Sequence, residues 1–118
     1  MIQIFGTKKC FDTKKAQRFF KERGIKTQFV DLGEREMSSG ELRSVISAVG
    51  GIEKLLNDKA KDRDTLELIR HLLPEAQTEK LRENPGVMKT PIVRCGRLAT
   101  TGYEPELWKS WPADTKGN

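Results

Sequence analysis

The residue in this sequence best placed for chemistry is Cys10, which lies where an apolar run ends and a helix begins. The run over residues 2–5 predicts a β-strand that breaks at Gly6, and an amphipathic helix is predicted to begin near Thr13. The first N–H groups and the positive dipole end of a helix stabilise a thiolate, the nucleophilic form of cysteine. Four lysines flank the cysteine: Lys8, Lys9, Lys14 and Lys15. The sequence therefore predicts one reactive sulfur.

Each of these residues also has a structural interpretation. Cys10 fits an inert buried thiol, although the flanking lysines and the helix start favour a reactive one. Thr13 fits the N-cap of the helix, with a hydrogen bond toward the thiolate as a further role. Lys14 and Lys15 fit an ordinary solvated helix face about as well as a binding site.

Cys95 is the only other cysteine, and so the only internal group available to resolve an oxidised Cys10. It lies at a predicted hairpin tip, and a disulfide requires Cα atoms within about 7 Å of each other. A solitary cysteine in such a place is more often a small packing residue. The two cysteines and His71 form no recognised zinc or iron–sulfur spacing, so no metal site is predicted and His71 is assigned a structural or exposed role.

Length and composition limit the kind of protein that carries this sulfur. With 118 residues and 36% hydrophobic content, the chain is long enough for one domain with a modest core. Two cysteines, no predicted leader and no apolar run of membrane-spanning length lead us to expect a cytoplasmic protein without membrane contact. The net charge of +5 permits anionic partners. Direct nucleic-acid binding is not expected, because the basic residues form no patch with interleaved aromatics.

The first third of the chain predicts a βαβ unit. Strands are predicted over residues 2–5 and 27–32, and apolar residues at helical spacing between them continue up to Gly24. Two strands joined through a helix of this length pair in parallel. The sheet is therefore predicted to begin with two parallel strands.

A block of helices is predicted over about residues 38–86. Apolar residues recur there at helical spacing, and polar or glycine-containing breaks separate the segments. Asp64 or Thr65 is expected to cap one helix and Pro74 to stop it.

The last part of the chain predicts a ββα unit. Strand-like runs over residues 91–94 and 97–100 are separated by Cys95-Gly96, a hairpin signal, and a final helix is predicted to place Trp108 and Trp111 on one packed face. We therefore expect one domain over residues 1–111 and a flexible polar tail over residues 112–118.

The order and spacing of these motifs resemble the arsenate reductase family of thioredoxin-like proteins, which also contains the transcriptional regulator Spx. Short motifs along nearly the whole chain carry the resemblance: IFGTKKC at residues 4–10, TKKA at 13–16, GI at 51–52, LLN at 55–57, TPIV at 90–93, GY at 102–103, and Trp108. The resemblance implies an α/β fold, a thioredoxin-like βαβ-ββα with a helical insertion between the second and third strands. It also implies a cis Thr90-Pro91 bond facing the cysteine, whose backbone amides pair with an extended thiol peptide.

The resemblance further implies a set of site residues, with Cys10 as the nucleophile. Lys14 and Thr90 occupy positions where the family places oxyanion-binding arginines, and the arginine of the insertion falls on Asn57, with Lys59 two positions on. Lysine offers a point charge in place of the bidentate fork of arginine. The expected substrate-binding residues are Lys9, Thr13, Lys14, Lys59, Thr90 and Pro91.

Two functions follow from these observations. The first is a thiol-dependent oxidoreductase without a resident cofactor, which takes a small oxyanion or a thiol or disulfide substrate and uses glutathione or glutaredoxin as external thiol. The alternative is an Spx-like regulatory module without catalysis that docks on RNA polymerase or another protein. Thr13 stands where a C-x-x-C redox switch needs its second sulfur, so a vicinal disulfide is excluded.

Overall fold

A computed structural model describes residues 1–111 of the protein, so the predicted tail over residues 112–118 lies outside the described part. Four strands form one sheet in the order β2-β1-β3-β4. Their bounds are β1 Ile2–Gly6, β2 Thr27–Asp31, β3 Ile92–Cys95 and β4 Leu98–Thr101. β1 pairs with β2 in parallel, whereas β1 with β3 and β3 with β4 are antiparallel. The predicted βαβ-ββα plan is confirmed.

Helices cover the sheet, and three of them belong to the insertion between β2 and β3. The α-helices are α1 Phe11–Glu22, α2 Ser39–Val49, α3 Arg63–His71, α4 Pro74–Glu83 and α5 Pro105–Lys109. Two short 3-10 turns lie over Ile52–Leu55 and Pro85–Val87. The helical block predicted between the second and third strands is therefore present.

Two helix boundaries in the insertion differ from the sequence-based expectation. α3 begins at Arg63, because the Asp62 carboxylate, and not Asp64 or Thr65, caps it by accepting a hydrogen bond from Thr65 N at 3.1 Å. Pro74 is the first residue of α4 and does not stop α3, which has already ended. A proline fits this position because the first N–H of a helix has no intrahelical partner.

Apolar residues on the two faces of the sheet belong to two separate cores. Phe5 and Ile92 pack with the insertion, whereas Ile4 and Val93 pack with α1 and α5. Neighbouring residues of one strand point to opposite faces, so β1 and β3 each contribute to both cores. β1 is buried on both faces and fixes the residues that follow it, including Cys10.

Trp108 closes the core beneath α1. Its ring lies 5.3 Å from that of Phe19 and 5.2 Å from that of Phe20, and its Nε1–H donates to the hydroxyl of Thr100 at 2.8 Å. Trp111 packs against the same cluster but lies beyond the end of α5. The shared packing role is confirmed, although only the first of the two tryptophans is helical.

The insertion is tied to the segment that leads into β3. An isolated antiparallel bridge joins Leu56 to Met88, with Asn57 N donating to Val87 O at 2.9 Å and Lys89 N to Leu55 O at 2.7 Å. These bonds bring the end of the first 3-10 turn beside the start of β3. Within residues 1–111, no helix is long and apolar enough to cross a membrane.

Candidate active site around Cys10

Cys10 is the N-cap residue of α1, and the helix begins at Phe11 and not near Thr13 as predicted. Its backbone is held by two hydrogen bonds, from Cys10 N to Thr7 O and from Lys14 N to Cys10 O, each 3.2 Å long. The half-buried thiol donates to the carbonyl oxygen of Thr90 at 3.6 Å. The sulfur therefore lies between the start of α1 and the residue before Pro91.

The peptide bond between Thr90 and Pro91 is cis, as predicted. Pro91 is buried, and its carbonyl oxygen accepts a hydrogen bond from Gly102 N at 2.8 Å. Thr90 is half-buried and borders the space in front of the sulfur. Thr90 thus borders the cavity beside the start of α1, whereas Pro91 does not line it.

Thr13 is not the predicted N-cap but a buried residue in the first turn of α1. Its hydroxyl makes no hydrogen bond while Cys10 is a neutral thiol. A Cβ atom added at Gly6 would lie 2.6 Å from Thr13 Cγ2 and nearer still to Oγ1. Glycine at the end of β1 is therefore what lets this threonine sit against the strand, below the cysteine.

The electrostatics around the sulfur favour the thiolate. Partial burial raises the pKa of Cys10, but hydrogen bonds from the side chains of Thr13 and Thr90 and from the N–H groups of Thr13 and Asp12 outweigh it. The pKa therefore lies below the ordinary value of a cysteine thiol. The neutral thiol makes no side-chain cap hydrogen bond, so these donors act on the charged form. These hydrogen bonds give a physical cause for the predicted activation of the Cys10 sulfur.

The sulfur opens into a cavity of about 470 Å³. One side is formed by Cys10, Asp12, Lys89 and Thr90, and the other by residues 56–59 of the insertion. The cavity thus brings together Cys10, Thr90 and Lys59, which the sequence singled out. It also contains Asn57, where the family resemblance expects an arginine.

Four of the six predicted substrate-binding residues do not line this cavity. Thr13 and Pro91 are buried. Lys9 is exposed, and Lys14 is exposed with its ammonium 5.8 Å from the ring centre of Phe11. The sequence reasoning missed Lys89, Asp12 and Asp58, which do line it. The one available signal for Lys89 was its position directly before Thr90-Pro91.

Cys95 lies at the opposite end of the sheet from Cys10. It is the last residue of β3 and pairs with Leu98, so the turn is Gly96-Arg97 and not the predicted Cys95-Gly96. Cys10 follows the end of β1 that pairs with Ile92, and β3 from there to Cys95 spans about 10 Å. This separation exceeds the roughly 7 Å between Cα atoms that a disulfide allows. The geometry excludes an internal disulfide in this conformation.

Other clusters offer less chemistry. Among residues 1–111, no group of three or more His, Cys, Asp or Glu side chains is arranged to hold a metal ion. His71 is exposed, in agreement with its predicted role. A depression of about 440 Å³ between α1 and α5 is bordered by Lys15 and Tyr103, and no cysteine lines it.

We expect the rate of Cys10 alkylation to rise with pH around a midpoint below the ordinary thiol value, because the lowered pKa makes the thiolate available earlier. Replacing Thr13 with Val should raise that midpoint and slow alkylation at pH 7 about tenfold, the lower end of the effect of losing one hydrogen bond to a charged group. The measurement is iodoacetamide labelling across pH in a Cys95→Ser background.

The same variant gives an internal control through protein stability. The Thr13 hydroxyl is buried without a partner in the thiol form, so the isosteric Val should leave the free energy of unfolding equal or higher at low pH. Slower alkylation with lower stability would instead indicate a general disruption of the first turn of α1.

Comparisons with known proteins cover nearly the whole of the described chain. A model of the ArsC family matches residues 5–111. The chain is 24% identical to global transcriptional regulator Spx 2 of Oceanobacillus iheyensis over 96% of this chain and 94% of that protein. The solved arsenate reductase from Vibrio cholerae has a TM-score of 0.77 at 24% identity, covering 90% of this chain and 92% of that one. A Staphylococcus aureus protein solved in solution has a TM-score of 0.77 at 27% identity, covering 92% and 96%.

Proposed function

The chain belongs to the ArsC family, and from that premise we propose that it is a thiol-dependent oxidoreductase with Cys10 as its nucleophile. The observation that carries the proposal is the position of the sulfur. Cys10 caps α1, its pKa is lowered by donors from Thr13 and Thr90, and it faces an open cavity. Buried structural cysteines lack such an environment, whereas reactive ones require it.

The reaction that fits this sulfur is a thiol–disulfide exchange. The Cys10 thiolate attacks one sulfur of a disulfide substrate, a new S–S bond forms at Cys10, and the other sulfur leaves as a thiolate that takes up a proton. An external thiol such as glutathione, or the thiol of glutaredoxin, then attacks the mixed disulfide and releases Cys10. When the substrate is a glutathione mixed disulfide attacked at its glutathionyl sulfur and the external thiol is glutathione, the net result is one reduced substrate thiol and one molecule of glutathione disulfide.

An external thiol is needed because the chain offers no second sulfur at the site. Thr13 stands three residues after Cys10, and Cys95 lies at the other end of the sheet. The proposed roles of the neighbours follow from their positions. Thr13 and Thr90 stabilise the thiolate, and the backbone at Thr90-Pro91 lies alongside the bound substrate. We place this chemistry in the cytoplasm, where external thiols are kept reduced.

Arsenate is the less favoured substrate. Lys14 points away from the cavity, Thr90 carries no charge and Asn57 is a neutral amide, so none of these three positions offers a bidentate cation. A glutathione mixed disulfide needs less positive charge around the reacting atom. We therefore propose disulfides as the substrate class and arsenate as the comparison substrate.

Incubation with oxidised glutathione is expected to attach one glutathionyl group to Cys10, because exchange needs only the thiolate and an accessible cavity. Mass spectrometry of the peptide over residues 9–14 measures the adduct, and addition of reduced glutathione should remove it. Cys95→Ser should behave like the wild type. An adduct confined to Cys95, or none at either cysteine, would contradict the proposal.

A second candidate function is an Spx-like binding module without catalysis. Two observations favour it: the similarity to Spx 2 along 96% of this chain, and the ring of Phe11, which is 78% exposed directly after Cys10. Such a ring is available to a protein surface. Under this hypothesis the partner is RNA polymerase or another protein, and binding does not depend on the sulfur.

A further inference from the structure

Arg70, in the last turn of α3, holds three carboxylates at once. Its Nε lies 3.0 Å from Glu53 Oε1, its Nη2 lies 2.7 Å from Asp58 Oδ1, and its Nη1 lies 2.7 Å from Glu67 Oε1. Glu53 belongs to the first 3-10 turn, Asp58 to the loop that follows this turn, and Glu67 to α3 itself. One guanidinium group therefore joins three segments of the insertion.

The geometry of these contacts suits arginine and not lysine. Nε and Nη2 of Arg70 both bind Glu53 Oε1, at 3.0 and 2.8 Å, while Nη1 and Nη2 also reach the other two carboxylates. A guanidinium offers five N–H donors in a fixed plane, whereas an ammonium is a point charge on a flexible stem. An isolated surface ion pair contributes little, but a network with good geometry holds its members in place. The three segments are thus held to one another by a single side chain.

One of these segments borders the cavity in front of Cys10. Residues 56–59, which we call the insertion wall, form one side of that cavity. The bridge to the segment before β3 holds the first half of the wall. α3 holds the second half, because Arg70 binds the Asp58 side chain and Nη1 of Arg63 donates to the Asp58 carbonyl oxygen. The position of the insertion wall therefore depends on contacts made by α3.

We propose that Arg70 is a positioning residue for the disulfide exchange at Cys10, which holds the insertion wall where a bound disulfide meets it. The proposal rests on the nucleophilic role of Cys10 proposed above. A substrate as large as a glutathionyl tripeptide occupies the cavity while it reacts, and so contacts this wall. A wall that is ordered before binding loses less entropy than one that the substrate must order. Arg70 does not line the cavity and acts through Asp58.

The test is Arg70→Lys in a Cys95→Ser parent protein, because lysine keeps the charge but loses the planar set of donors. Oxidised glutathione is compared with iodoacetamide, a small reagent that needs only the thiolate. In the first reaction the Cys10 sulfur bonds to one glutathionyl sulfur and the other leaves as a thiolate. The ratio of the glutathionylation and alkylation rate constants, measured by mass spectrometry, should fall about fivefold, the cost of ordering one flexible side chain. Alkylation itself should not change, because its thiolate is stabilised by other residues.

The matched control is Arg82→Lys, which weakens a similar network elsewhere in the insertion. The Arg82 side chain is 25% exposed, compared with 24% for Arg70, and it binds Glu79 at 2.9 Å and Glu36 at 3.1 Å. None of Arg82, Glu79 and Glu36 lines the Cys10 cavity. Arg82→Lys should therefore lower thermal stability about as much as Arg70→Lys but leave the ratio unchanged. Equal falls of the ratio in both variants would overturn the positioning role and indicate a general loosening of the insertion.

A double-mutant cycle tests whether Arg70 acts through the insertion wall. In an Asp58→Ala background, Arg70→Lys should have little further effect on the ratio, because the contact with the wall is already gone. An effect of the same size in both backgrounds, or an unchanged ratio in Arg70→Lys alone, would overturn the positioning role while leaving the exchange at Cys10 intact. A parent protein that reacts with iodoacetamide but forms no glutathione adduct would instead refute the proposed exchange, and the positioning role with it.

Discussion

Replacing Cys10 with Ser is expected to lower disulfide reduction by at least about a thousandfold, because it removes the one nucleophile that faces the cavity. A hydroxyl at the same place remains protonated at pH 7 and cannot form a mixed disulfide with the substrate. The measurement is the rate of glutathione-dependent reduction of a mixed disulfide, with Cys95→Ser as the matched control that removes the other sulfur.

The fold should survive this substitution, which makes the result a chemical one. Cys10 is the N-cap of α1 and makes no side-chain cap hydrogen bond, whereas serine is among the best N-cap residues. Thermal unfolding of the variant should therefore match or exceed that of the wild type. Reduction that continues at the wild-type rate would show that Cys10 is not the nucleophile.

The same variant separates the two candidate functions. A binding module needs the exposed Phe11 surface and not the sulfur, so a stoichiometric complex with RNA polymerase would persist in the Cys10→Ser protein. If wild-type Cys10 shows no turnover but the complex forms with both proteins, the regulatory function replaces the enzymatic one. If turnover is lost with the sulfur and no complex forms, the oxidoreductase stands.

The two strand pairs joined by short connections and the position of Cys10 before a helix were both predictable, because local patterns determine them. Residues 2–5 and 27–32 flank one helix, which requires a parallel pair. A glycine between two strand-like runs marks the antiparallel pair, although the turn is Gly96-Arg97, one residue later than predicted. Cys10 was predictable because a strand, a glycine and a helix start are all visible in the sequence. These features involve residues that are close together in the sequence, so local patterns are enough to find them.

The shape of the cavity was not predictable in the same way. Lys89 and Lys59 are 30 positions apart in the sequence and border the same cavity because of the bridge between Leu56 and Met88. No periodicity marks an isolated bridge between two irregular segments. The family resemblance directed attention to Lys59, which does line the cavity, but also to Lys14, which lies near Phe11 outside it.

The N-cap role predicted for Thr13 was wrong because of how α1 packs against β1. Threonine is a common N-cap, so local propensity favours that role. Here the close approach of α1 to the end of β1 buries the residue inside the first turn and leaves the cap position to Cys10. Local preference is overridden by a packing requirement that only Gly6 satisfies.

That requirement predicts a large effect at Gly6. Replacing Gly6 with Ala is expected to lower the free energy of unfolding by about 3 kcal/mol, the upper range of overpacking, because the new Cβ overlaps the buried Thr13 side chain. The displaced threonine can no longer donate to the sulfur, so alkylation of Cys10 at pH 7 should slow in parallel. Urea denaturation and iodoacetamide labelling measure the two effects.

Two further variants establish that the contact itself is responsible. Gly40→Ala, where an added Cβ meets nothing within 4 Å, should be neutral or slightly stabilising in helix α2. In a Thr13→Ala background, Gly6→Ala should cost clearly less, because the Cγ2 and Oγ1 atoms that it overlaps are gone. If Gly6→Ala lowers the free energy of unfolding equally in the wild type and in Thr13→Ala, its effect does not come from the contact with Thr13. A reduced cost would show that one glycine couples the packing of α1 on the sheet to the reactivity of Cys10.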